Sequence, residues 1–255
     1  MLPIFKSHYS IGKSILTLSD PNDDESGPDS IIKLCLDNNI KDLVLVEDAP
    51  TGFFKAQNQC QKFDLNLIFG LRLKLSSFKG ENKSEDDSIH KCIVFAKTSE
   101  GVKLLNKIYS SFFCDHDGVG NYEVLKLFWN NKDLLLSIPF YDSFLYYNSF
   151  YFSNCVPDFS FCAPVFFIED NNLPEDAILS LKVQDYCLEN GFNFQKAKSI
   201  FYKNKKDVEA FQTYKCICSR TFGRKKTLSN PGLDGFGSSD FCLESLINYR
   251  NEKAV

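Results

Sequence analysis

Short apolar runs alternate with amphipathic stretches along most of this chain. Leu43-Val44-Leu45-Val46 has the length and β-branched character of a buried strand. Before it, residues 29–39 place Ile31, Ile32, Leu34, Cys35 and Leu36 mostly on one helical face, with Asp29 as candidate N-cap after Pro28. After it, residues 51–63 read as a helix and residues 66–75 as a strand with alternation in its second half. Residues 76–88 are polar and charged and predict a loop, 91–96 a strand, and 98–113 a helix capped by Thr98 or Ser99. The rhythm continues with strands over 133–140 and 163–169. A helix follows over 173–191, with an early proline, acids in its first turn and a terminal glycine. Residues 194–202 predict a strand, 205–220 a helix and 223–240 a turn-rich loop. Strand and helix repeating in this way predict an α/β architecture with a mainly parallel sheet, open or closed. With no low-complexity linker and no internal repeat, one domain over residues 1–250 with a tail at 251–255 is expected.

Composition supports a folded chain. Of 255 residues, 44% are hydrophobic and 24% charged, so the chain can bury a full core and does not read as disordered. No run approaches the roughly 18 to 20 apolar residues of a membrane helix, and the start, MLPIFKSHYS, lacks the basic lead and apolar run of an export signal. A cytoplasmic location and no membrane partner are therefore expected. Ten cysteines then read as reduced thiols, several in apolar runs such as IIKLCL around Cys35 and HKCIVFA around Cys92.

Charge changes the picture in one place. Residues 196–226 carry ten basic residues against Asp207 and Glu209, a local +8. With −4 overall, the remainder of the chain carries −12. Such a segment is a candidate nucleic-acid footprint, with Lys203, Lys205, Lys206, Arg220, Arg224, Lys225 and Lys226 as its contacts. A solvated helix face plus a loop has the same composition.

Local motifs exclude more than they support. Ile11-Gly12-Lys13-Ser14 resembles the end of a phosphate loop, but Ser7 stands where its first glycine belongs. Gly118-Val119-Gly120 has no preceding strand, and Cys216-x-Cys218 has no following histidine. Only His8, His90 and His116 are present, too few for a multinuclear site built on imidazole. Asp115-His116-Asp117 reads as a polar turn. Glu47-Asp48, directly after the strand run, sits where parallel α/β folds place ligands, though the pair can equally cap the following helix through its dipole.

The order of these segments resembles the PHP (polymerase and histidinol phosphatase) domain that opens the alpha subunit of bacterial replicative DNA polymerase III. FKSHYSIGKSIL resembles its H-x-H-S-x-Y-S element, and LVLVEDAPTGFFKAQNQCQKFDLNLIFGLRLKL its strand, T-D-H turn, helix and I-I-G-x-E strand. HKCIVFAKTSEGVKLLNKIYS, VFFIEDNNLPEDAILSLKVQDYCLENG, IFYKNKKDVEAFQTYKCICSRT and LSNPGLDGFGSSDFCLES follow in the family's order. The resemblance implies a distorted (βα)7 TIM-like barrel of PHP type. It also implies a metal-activated water for phosphoester hydrolysis in active members, in some a 3′–5′ exonuclease.

Most of the family's ligand positions are changed here. The first histidine falls on Lys6 and the second on His8; the early aspartate falls on Lys13. The Asp-His pair falls on Val46 and Glu47, with Asp48 adjacent, and the glutamate on Arg72. His90 matches a family histidine, LSIPFYDS offers no donor before Asp142, and the family's final N-D-x-H reads Lys198, Ser199, Ile200, Phe201, so both of its ligands are replaced. The remnant pocket expected from the resemblance is thus Lys6, His8, Glu47, Asp48, Arg72, His90, Ser199 and Phe201. Its cations oppose binding of dications. The reading is a non-catalytic scaffold or accessory factor in DNA replication, with no cofactor and with DNA or replication proteins as partners. Two alternatives stay open: a metal-dependent phosphoesterase or exonuclease holding zinc or manganese on His8, His90 and Glu47, and a nucleic-acid-binding module using the basic segment.

Overall fold

The computed structural model describes residues 1–23, 27–76, 89–218 and 237–254. Its strands are β1 (Leu2–Phe5), β2 (Asp42–Glu47), β3 (Asn66–Ser76), β4 (Ile89–Ala96), β5 (Val119–Gly120), β6 (Leu134–Ile138), β7 (Val165–Ile168) and β8 (Asn193–Ile200). Its helices are α1 (Ile31–Asp37), α2 (Phe53–Lys62), α3 (Ser99–Ser110), α4 (Tyr122–Leu127), α5 (Phe144–Phe150), α6 (Asp176–Asn190), α7 (Val208–Cys218) and α8 (Leu243–Ala254). The hydrogen-bonded strand order is β2-β1-β8-β7-β6-β4-β3-β5. Because β2 also pairs with β3, the ladder closes into a ring of seven strands with β5 added at β3. The class is α/β, compatible with a TIM-like barrel, but the sheet is mixed: β4 runs antiparallel to both β3 and β6.

The chain divides into two compact units. The first comprises Met1–Ile68, Asp170–Pro174 and Ala197–Val255. In it β1 lies parallel between β2, with Ile4 opposite Val44 and Phe5 opposite Leu45, and the second half of β8, with Leu2 opposite Ala197 and Phe5 opposite Ile200. Phe5, Leu43, Leu45 and Ile200 are fully buried, as an uninterrupted apolar strand run requires. The cap of α1 is Ser30, whose hydroxyl accepts from the Lys33 amide, rather than Asp29. Asp29 stays outside the helix and its side chain pairs with Lys203.

The second unit comprises Phe69–Glu169 and Glu175–Lys196. β3 and β4 pair over seven positions from Gly70–Phe95 to Ser76–Ile89. Gly70 is needed there, because a Cβ would sit 2.6 Å from the Phe95 ring. Thr98 caps α3 by accepting from the Gly101 amide, and a π-helical turn over Ser111–Asp115 extends it. Gly101 has a packing reason too: a Cβ would lie 2.2 Å from the Asp133 carbonyl oxygen. Phe144, Phe159, Phe166, Tyr186 and Phe192 form an aromatic cluster with ring centroids 5.4–6.3 Å apart. α6 ends at Gly191 in the left-handed region (φ 69°), the stop its sequence signals. All ten cysteines are free thiols. Among the described residues no helix is long and apolar enough to cross a membrane. The expected loops at 76–88 and 223–240 fall mostly outside the described residues.

Candidate functional site

In the first unit, the C-terminal end of β2 carries the densest polar cluster the resemblance pointed to. Strand alternation puts Glu47 on the same face as Leu43 and Leu45, and it is wholly buried. Both of its oxygens are occupied. The Ser7 amide donates to Oε1 at 2.9 Å, and the Ser10 hydroxyl donates to Oε2. Ser10 Oγ in turn accepts the Asp48 amide at 2.9 Å. A turn makes this geometry: Ser10 N–H donates to the Ser7 carbonyl and Lys13 N–H to the Ser10 carbonyl, with Gly12 at φ 71°. Glycine adopts that φ without strain, and a Cβ there would also approach Cys218 Cβ to 2.9 Å.

Beside this carboxylate, Lys6 Nζ lies 2.5 Å from Asp48 Oδ1, with the lysine side chain only 6% exposed. Burial pushes the Glu47 carboxyl above its ordinary value; the Ser10 and Ser7 donors and the Lys6 charge pull the other way without overcoming it. The cluster is therefore self-contained. A buried carboxylate is satisfied by two donors, and its neighbour is neutralised by an ammonium. Such an arrangement does not fit a dication, because Lys6 and the two serines already meet the carboxylates' demand for positive charge and hydrogen-bond donors.

The other expected residues of this unit are placed separately. His8 is half-buried against the Tyr9 ring, and its Nδ1 is buried with no hydrogen-bond partner among the described residues. Lys198 donates to the Asp170 carbonyl at 2.8 Å. Ser199 is buried opposite Ile4. Phe201 stacks between Phe211 and Phe241, at 5.8 and 5.6 Å, and its carbonyl accepts from Ser14 Oγ.

In the second unit, Arg72 donates to the Tyr141 carbonyl at 3.0 Å and pairs with Asp142 at 3.3 Å; Lys91 reaches the same Asp142 oxygen at 2.7 Å. Asp142 adopts φ 60°, a left-handed conformation aspartate tolerates better than most residues. His90 is fully buried, with Nε2 2.9 Å from the Tyr122 hydroxyl and Nδ1 facing Cys155 Sγ at 3.9 Å. Among the described residues no three His, Cys, Asp or Glu side chains are grouped to hold a metal ion.

Of the basic segment, Lys203 pairs with Asp29 at 3.2 Å, Lys205 with Asp240 at 2.6 Å, and Lys206 is exposed. Arg220, Arg224, Lys225 and Lys226 lie outside the described residues. Sequence reasoning missed Ser7, Ser10, Lys91, Tyr122 and Cys155. A Ser-x-x-Ser spacing in a turn is a weak local hint, but nothing local links it to a strand 40 residues away.

Compared with models of known protein families and with curated proteins, the chain matches none.

Proposed function

We infer that this chain is a PHP-like domain with replaced metal ligands, serving as a non-catalytic scaffold or accessory factor for a DNA replication machine. Three things support the reading. The resembling segments occur in the family's order. The ladder is a closed seven-strand α/β ring. Most heavily, Lys6 stands at a position where the family places a ligand histidine, and its ammonium is held against Asp48. A fixed internal cation at that point replaces the charge a bound metal would bring. Arg72, at the position of the family's glutamate, repeats the substitution of a cation for a metal ligand in the second unit, where it pairs with Asp142.

The test is elemental analysis of protein purified without chelator, and again after loading with manganese or zinc and desalting. No stoichiometric metal is expected. Two or three tightly held equivalents overturn the reading and favour a metal-dependent phosphoesterase. Pull-down against replication proteins then tests the scaffold role, and a specific, saturable partner among them is the expected result. The nucleic-acid-binding alternative is less well supported, because two of its described lysines, Lys203 and Lys205, are already in ion pairs. Salt-dependent DNA binding would restore it.

A further inference from the structure

A helix on the surface of a globular protein ordinarily has one apolar stripe. α6 has two. Its inner stripe, Leu179, Val183 and Cys187, is buried. Its outer face carries Ile178, Leu181 and Leu188, which are 55%, 62% and 76% exposed. With Asp185 between them, these positions recur at the alternating three- and four-residue spacing of a helix-pairing seam. Lys182 and Asp185 are exposed on the same face.

We propose that this outer face of α6 is a self-association surface, pairing antiparallel with α6 of a second copy of this chain about a two-fold axis near the level of Val183. The sequence is complementary to its own reversal in that register. Ile178 meets Leu188 of the second copy at both ends of the seam. In the middle, Leu181 packs against the Cβ side of Asp185, while Lys182 reaches that same Asp185 across the axis. Every contact occurs twice by symmetry. The single cation and the central acid on this face thus become partners. From Ile178 to Leu188 the seam is roughly 15 Å long. That is small for an interface, so the dimer is weak and reversible. This inference is independent of the scaffold reading above.

Sedimentation equilibrium of the full chain, from micromolar to near-millimolar concentration, tests it. The expected result is a monomer–dimer equilibrium that L181S with L188S abolishes while circular dichroism stays unchanged, as exposed positions allow. K182E alone and D185K alone each weaken the dimer roughly tenfold, the cost of about 1.4 kcal/mol. Mixing the two variants restores association, because each then supplies the charge the other lacks. A chain that stays monomeric overturns the proposal. So does a dimer indifferent to the L181S and L188S changes. A mixture no tighter than its components overturns the antiparallel register.

Discussion

Replacing Glu47 tests whether the cluster at the end of β2 is a structural clamp. Glu47→Ala removes the acceptor for a buried backbone donor, Ser7 N–H, and for the Ser10 hydroxyl. An orphaned buried amide costs about 1–3 kcal/mol, and losing two buried methylene-sized groups adds roughly 1–2 kcal/mol. Relief from burying a carboxylate offsets part of this, which leaves a net loss of about 2–3 kcal/mol at neutral pH. In a chain of this length that lowers Tm by about 4–12 °C. Glu47→Gln keeps the shape and the oxygen facing Ser7, and Ser10 Oγ can accept from the new amide, so its cost stays under about 1 kcal/mol. The pH dependence separates the two variants further. The folded-state carboxyl lies above its ordinary 4.5, so the folded chain binds the proton more tightly than the unfolded one. Glu47 therefore contributes least to stability above its folded pKa, and its contribution improves as pH falls from there toward 4.5. Urea unfolding of wild type and Glu47→Gln across that window should show wild type gaining on the variant as pH falls. An alanine variant within about 0.5 kcal/mol of wild type, or a difference that moves the other way with pH, refutes the clamp.

Three further outcomes follow from the packing. Asp142→Asn tolerates the left-handed backbone but loses the pairs to Arg72 and Lys91; with Asp142 36% exposed, the loss should be about 0.5–1 kcal/mol and shrink in high salt. Tyr122→Phe leaves buried His90 Nε2 without its 2.9 Å partner, costing about 1–3 kcal/mol by chemical denaturation. Gly101→Ala drives a methyl group against the Asp133 carbonyl, and a loss above about 3 kcal/mol in thermal unfolding is expected.

The sequence was most informative where local chemistry and tertiary structure agree. The run at 43–46 is apolar at every position, and it is buried throughout in β2. Gly191 stops α6 through a φ that the residue itself makes cheap. α5 went unread because FLYYNSF is aromatic on nearly every side and has no amphipathic period, although Ser143 caps it by accepting from the Tyr146 amide. The reversal of β4 had no signature either: alternation gives a strand's faces but not its direction. At the site, Glu47 and Asp48 were legible as acids at a strand end. The donors that disarm them, Ser7, Ser10 and Lys6, arrive from about 40 residues away, through a fold the periodicity does not encode.

The closure of the ladder also joins strands at very unequal distances along the sequence. β3 and β4 are consecutive in sequence and pair over seven positions, so they can meet early, at little loop-closure cost. β1 is nearer in sequence to β2 than to its other neighbour, β8, which pairs with it from Leu2 opposite Ala197. One edge of β1 thus stays open until β8 is available to pair, and an exposed edge invites foreign strands. Ring closure ties the protection of β1 to β8, the more distant in sequence of its two pairing partners.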